Sequence, residues 1–335
     1  MNISESYDKK LTLVRSNTFE NEILIVDGQG RSGKNLVSVL LSSMNRVEKM
    51  RLDSNFDYIP RYYFSKNMSR EAAVVALHLE ADEKYYYNSI SRDVNFRPAD
   101  YSGVLKQGNW LKYFIRLFLP ADEKALERII NESPIFQEMT HDALHVAEIY
   151  FQAFSSRLRL IHVFRDPVEN ILEQHKRGFG ARIGSDPREF QLTYGWNGYE
   201  IPLTAIGRED EYLNGNSIER LVVMVDNMFR ANLAGFYALD EIFKNQVMFI
   251  EFEDLVTEPE IYLQNLEKFI GEKFKRSLRR ILKREKCPRS INPETRDQKR
   301  LIINDQIGAH YKDVLDCLLA DYDLKPWKGL GFRNE

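Results

Sequence analysis

The segment Gly28-Gln29-Gly30-Arg31-Ser32-Gly33-Lys34-Asn35 has residue types that suit one task, holding a phosphate. It has the spacing of a P-loop, with Asn35 where that motif places a serine or threonine for magnesium. Glycines let successive backbone N–H groups turn inward onto phosphate oxygens. A helix starting near Lys34 aims its positive end at the same point, and Arg31 and Lys34 add charge. Gly28, Gly30, Arg31, Ser32, Gly33, Lys34 and Asn35 are therefore the expected nucleotide-binding residues. Two further segments that follow predicted strands carry polar groups, Thr140-His141 and Arg165-Asp166. Histidine titrates near neutrality and suits removal of a proton from a hydroxyl or amine. Arginine stays charged and only donates, so Arg31 and Arg165 are binders or leaving-group stabilisers, not bases. His141 and His145 have the spacing of one helix face, which a metal can use, but no third ligand is evident and no metal is expected.

These residues need elements to hold them. The apolar runs Glu22 to Asp27, Leu158 to Phe164 and Gln246 to Phe252 read as buried parallel strands, with Pro134 to Met139 as a weaker fourth. Helix starts follow. Asp166-Pro167-Val168-Glu169 has an N-cap aspartate, a proline at the first helical position and a glutamate three beyond the cap. Asp186-Pro187-Arg188-Glu189 repeats it, and Thr257 to Glu260 and Asn216 to Glu219 read as capping boxes. The last opens an amphipathic helix expected to run to about Phe243, with Leu221, Val225, Met228, Leu233 and Phe236 facing the core. Strand, loop, helix, strand predicts an α/β fold, a parallel sheet with helices on both faces. Ligands of such sheets sit beyond the carboxyl ends of the strands, so all three candidate segments should meet at one rim.

Among the 335 residues, Lys+Arg number 47 and Asp+Glu 50, so no global basicity points to nucleic acid. Cys287 and Cys317 are far apart, which fits a reducing compartment. No apolar stretch is long enough to span a bilayer, and the N-terminus lacks a signal-peptide core, so a cytoplasmic protein is expected. The expected organisation is an N-terminal extension over 1–20 and one α/β domain over 21–335. Within it, the Tyr-, Asn- and Arg-rich stretch 52–133 forms a cap or insertion and 272–300 a basic C-terminal segment.

Three separated segments together resemble the sulfotransferase family, whose donor is 3′-phosphoadenosine 5′-phosphosulfate (PAPS). They are "GRSGKN" (Gly30 to Asn35), "LIHVFRDPVENILEQHKRG" (Leu160 to Gly178) and "VMFIEFEDLVTEPEIYLQNLEKFIG" (Val247 to Gly271). The resemblance covers about half the chain and implies a three-layer, P-loop-type architecture. It implies that Arg31 contacts the 5′-phosphosulfate and supports the leaving group, and that Arg165 contacts the 3′-phosphate. Glu173 falls where the family has a serine on that phosphate, with His175, Lys176, Arg177 and Arg182 as cations able to take over. Thr140-His141 matches the family's catalytic-base motif, making His141 the base, while Glu138 or Met139 replaces its lysine. Arg289 and Ser290 fall where the family brings a late basic loop over the 3′-phosphate.

The expected activity is transfer of a sulfuryl group from PAPS to a hydroxyl or amine of a small molecule or glycan. Lys34 keeps an ATP-dependent P-loop kinase open, with Asp27, Asp166 and Asp254 as candidate metal carboxylates. A non-catalytic nucleotide-binding protein is a third reading. "TYGWNGYEIP" (Thr193 to Pro202) has aromatics suited to sugar stacking, or to an ordinary loop.

Overall fold

The computed structural model describes residues 11–292 and 294–332. The first half of the 1–20 extension lies outside them. What is described of it runs along a long helix, where Asp82 accepts from Arg15 at 2.6 Å and from the Phe19 amide at 2.9 Å.

Four strands form the central sheet. They are β1 (Ile23–Asp27), β2 (Phe136–Met139), β3 (Leu158–Phe164) and, after a separate hairpin of β4 (Thr193–Trp196) and β5 (Tyr199–Pro202), β6 (Val247–Glu251). Their order is β2-β1-β3-β6, and every pairing is parallel. Residues 46–51 run along the outer edge of β2, with Glu48 N donating to Ile135 O at 2.9 Å and Met139 N to Arg51 O at 3.0 Å. That contact leaves no long bare edge on β2.

Side chains alternate across β1 and build the two faces. Ile23 and Ile25 join a core with Phe56, Leu77, Tyr85 and Tyr150. That face is covered by helices α1 (Ser54–Phe64), α2 (Arg70–Ser89) and α3 (Ala147–Phe154). Leu24 and Val26 point the other way, into a core with Val37, Leu40, Leu255 and Leu266. The helices there are Lys34–Leu41, Phe252–Thr257 and Pro259–Ile270. A third core gathers around α4 (Pro167–His175), α5 (Ser217–Ala238) and α6 (Ala309–Asp323). The stretch 52–133 is thus mainly helical and supplies one covering layer.

Asp166 caps α4 by accepting from the amides of Val168 and Glu169, and Asn216 with Glu219 forms the full capping box of α5. Three local expectations are corrected. Asp186–Glu189 makes a single turn, because Asp186 takes the Arg188 amide and guanidinium and the chain then extends toward β4. Thr257 ends its helix rather than capping the next one, its hydroxyl donating back to the Glu253 carbonyl at 3.0 Å. Helix α5 stops at Ala238, where extended Leu239 separates it from a short turn at Glu241–Lys244.

Candidate active site

Because β1, β2 and β3 are parallel, the segments leaving their carboxyl ends emerge at one rim: Gly28–Lys34, Thr140–His141 and Arg165–Asp166. β2 and β3 both follow β1 in the chain and flank it on opposite sides, so the crevice where open α/β sheets bind ligands opens beside β1.

The loop folds as its glycines dictate. Gly28 and Gly33 have φ of 145° and 97°. A Cβ on Gly33 would lie 2.1 Å from the Phe252 ring, and one on Gly28 would lie 2.6 Å from Val163 O. Arg31 also has positive φ, 66°, a strained state held by its surroundings. The loop carbonyls are gripped from outside. Asn170 donates to Gly30 O at 2.9 Å and Arg165 to Arg31 O at 2.8 Å. Lys34 Nζ donates to Gly28 O at 2.6 Å and to Thr140 O. Burial pushes its pKa down to about 8 against the pull of Asp27, Asp57 and Asp142. Lys34 therefore braces the loop from within. Asn35 is half-buried in the first turn of the following helix.

Three donors around the loop have no acceptor. Arg31 Nε, Ser32 Oγ and Arg165 Nε are buried without a partner among the described residues. Buried donors of this kind cost stability unless something accepts from them, so the loop fits an anionic group. The Arg165 guanidinium lies 4.9 Å from the Phe252 ring centroid and that of Arg289 5.5 Å, with Ser290 exposed beside it. Phe252 thus collects two cations and touches the glycine loop. Nothing in the sequence marks it beyond its place directly after β6. Glu173 accepts from Lys176 at 2.7 Å and from Arg31 at 3.2 Å, and these cations hold its carboxyl below the usual range. Of the other nearby cations, Arg182 lies over the Phe179 ring and donates to Arg177 O.

His141 is held by a carboxylate that sequence reasoning missed. Asp57 accepts from the His141 amide at 2.9 Å and meets its Nδ1 at 2.9 Å. Burial alone would raise the Asp57 pKa, but the hydrogen bond and charge of His141, with Arg61, hold it below the ordinary value. Nε2 has no hydrogen-bond partner among the described residues, on a side chain that is 39% exposed. His141 lines a cavity of about 340 Å³ with Gln29, Gly30, Leu52, Tyr58, Phe179, Met224 and Met228, among others. The only sequence signal for Asp57 was an acid four residues before Arg61, after the cap-like Asp53. Pro60 inside the same turn of helix obscured it.

Comparison with known protein families and with curated proteins gives no match. Among solved structures the chain is similar to sulfotransferases. The sulfotransferase domain from the Synechococcus PCC 7002 olefin synthase is 13% identical at a TM-score of 0.48, over 94% of this chain and 98% of that one. The sulfotransferase STF9 from Mycobacterium avium is 12% identical at 0.42, over 99% and 81%. The sulfotransferase domain from the curacin biosynthetic pathway is 13% identical at 0.40, over 95% and 94%.

The other candidate residues have structural partners. Asp27 accepts from Thr140 Oγ1 at 3.0 Å and from the amides of Ala143 and Leu144, and pairs with His162 at 2.7 Å. Asp166 caps α4 and meets Arg296 at 2.6 Å. Asp254 accepts from Tyr262 at 3.3 Å. His145 packs on Phe64 with Nδ1 on Asp142 O, and burial lowers its pKa. The Thr193–Pro202 segment is the β4–β5 hairpin, turning at Asn197-Gly198 with φ of 49° and 85°. The dipeptide is the signal for such a turn. The cavity lining includes Gln191 and Thr204 on either side of the hairpin but none of its residues.

Proposed function

We propose that this chain is a sulfotransferase that moves a sulfuryl group from PAPS to the hydroxyl of a small molecule. One observation carries the reading: the His141–Asp57 pair and the phosphate-type loop, through Gln29 and Gly30, line the same cavity. Arg31 and Ser32 would hold the 5′-phosphosulfate, and Arg165 with Arg289 and Ser290 the 3′-phosphate. Glu173, already on Lys176, must give up Arg31 as it meets the anion. When bound, PAPS supplies a sulfuryl group on a stable leaving anion. With Nδ1 committed to Asp57, His141 takes the acceptor's proton on Nε2, and Asp57 stabilises the imidazolium that results. Arg31 would stabilise charge on the leaving side. Leu52, Phe179, Met224 and Met228 line the cavity beside Arg61, Gln174, Arg182 and Gln191, a mixed wall that suits a small organic molecule carrying a hydroxyl.

Lys34 counts against the kinase reading, since its ammonium is committed to the Gly28 carbonyl of the loop and the Thr140 carbonyl beyond β2. The test is the melting temperature with adenosine 3′,5′-bisphosphate and, separately, with ATP and magnesium. The bisphosphate is expected to stabilise the protein, by about 2.7 kcal/mol at a hundredfold excess over Kd. Stabilisation by magnesium and ATP alone would assign the chain to phosphoryl transfer. No response to either would leave a protein that kept the loop without the chemistry.

A further inference from the structure

The helix Trp110–Arg116 is built inside out. Its inward residues are Tyr113 and Arg116, both fully buried, and Lys112, which reaches in to Glu48 at 2.9 Å. Arg116 meets the buried Glu48 at 2.9 Å as well. The stripe at i, i+3, i+4 and i+7 that normally packs on a core instead faces solvent: Leu111, Phe114, Ile115 and Phe118, the last 75% exposed. An ionic anchor on the inner side leaves the apolar side free. Exposed apolar clusters of this kind on a soluble surface mark a binding face.

Next to it lies the basic helix Ser277–Arg284. Arg284 donates to Lys106 O at 2.8 Å and Lys275 to Asn109 Oδ1 at 3.2 Å, tying the basic segment to the residues that lead into the apolar helix. Arg276, Arg279, Arg280 and Lys283 are exposed, and among the described residues they form no ion pair. Unpaired cations beside protruding aromatic and aliphatic side chains supply the two attractions of an interfacial membrane site, anionic headgroups for the charges and acyl boundary for the apolar stripe. The same cations would repel a second copy docked on the stripe. Phosphate-backbone binding would leave the stripe unused.

We propose that this face is a peripheral docking site for an anionic phospholipid surface. It lies where the helix that follows the glycine loop ends, since Asn109 donates to Ser42 O at 2.8 Å, so it is separate from the candidate active site. The test is sedimentation of the full chain with phosphatidylcholine vesicles and with the same vesicles doped with phosphatidylserine. Binding is expected only to the doped vesicles, weakening as salt rises. Removing one surface cation is worth about fivefold, so Arg279→Glu with Arg280→Glu should lose at least about 25-fold. Phe114→Ser with Phe118→Ser should lose binding by a comparable factor while the melting temperature holds. If that pair unfolds, Leu111→Ser read against the arginine pair serves instead. The proposal is overturned by absence of binding to doped vesicles, or by binding that survives loss of the apolar residues. A concentration-dependent dimer abolished by the phenylalanine pair, without vesicle binding, would also overturn it by making a second copy the occupant.

Discussion

His141 can act as a base only if its free nitrogen is Nε2 and carries no proton. Asp57 meets both conditions, because a carboxylate on Nδ1 keeps the proton there. Asparagine would reverse this. Its Oδ1 still accepts from the His141 amide, but its NH₂ then faces Nδ1 and drives the ring proton onto Nε2. Asp57→Asn is therefore expected to lower kcat for sulfuryl transfer nearly as far as His141→Ala, roughly 10²-fold or more. KM for the acceptor and affinity for adenosine 3′,5′-bisphosphate should stay unchanged in both variants. Steady-state kinetics beside a binding titration checks this. Loss of bisphosphate affinity in step with kcat would make Asp57 a structural residue and remove His141 from the chemistry.

Asp57 rides on α1, and α1 is placed by a buried acid at the end of β2. Glu138 accepts from the Asp53 amide at 2.6 Å, while Asp53 caps the helix through the Asn55 amide. Burial raises the Glu138 pKa from 4.5 to about 8, despite Arg51 and the Asp53 amide. The folded state thus holds a proton that the unfolded state releases between pH 4.5 and about 8. Stability conferred by this group falls as pH rises through that window. Glu138→Gln keeps the acceptor and abolishes the titration. Its melting temperature should decline less than that of the unchanged chain between those limits. Parallel curves would mean that Glu138 is ionised in the fold. This chain of contacts was not legible in the sequence. β1 and β3 were, because each is a mainly apolar run that leads into a polar, site-forming segment, while Gln137 and Glu138 made β2 the weaker signal. Asp57 lies 84 positions before His141, and only packing of α1 on the sheet brings them together. Phe252 was hidden for a similar reason, since its role at Gly33 depends on β3 and β6 pairing.

At the scale of the whole molecule, the stretch 52–133 is where sequence periodicity failed most clearly, and its interior explains why. Its helices bury ionised and polar groups alongside apolar ones: Arg51 and Asn88 at 3.2 Å, Lys84 and Asp53 at 2.8 Å, and Arg116 and Glu48 at 2.9 Å. A hydrophobic pattern cannot trace a layer anchored by charge. Glu48 is the centre of that anchor. Burial would raise its pKa, but Lys112 and Arg116 carry it down from 4.5 to about 2. Between those values the unfolded state binds the proton first, so the stability that Glu48 confers is complete above pH 4.5 and is lost as pH falls toward 2. Removing the carboxylate leaves Arg116 buried with the Asn88 carbonyl at 3.0 Å and, as its one remaining carboxylate among the described residues, the half-exposed Glu132 at 2.6 Å. Glu48→Gln is therefore expected to cost about 3 kcal/mol at neutral pH. In denaturant titrations the gap between the two proteins should close on acidification across that window, since the unchanged chain then carries a neutral carboxyl at the same place. A gap that stays constant down to the lower limit would mean that the helix Trp110–Arg116 is held by its packing and not by this charge.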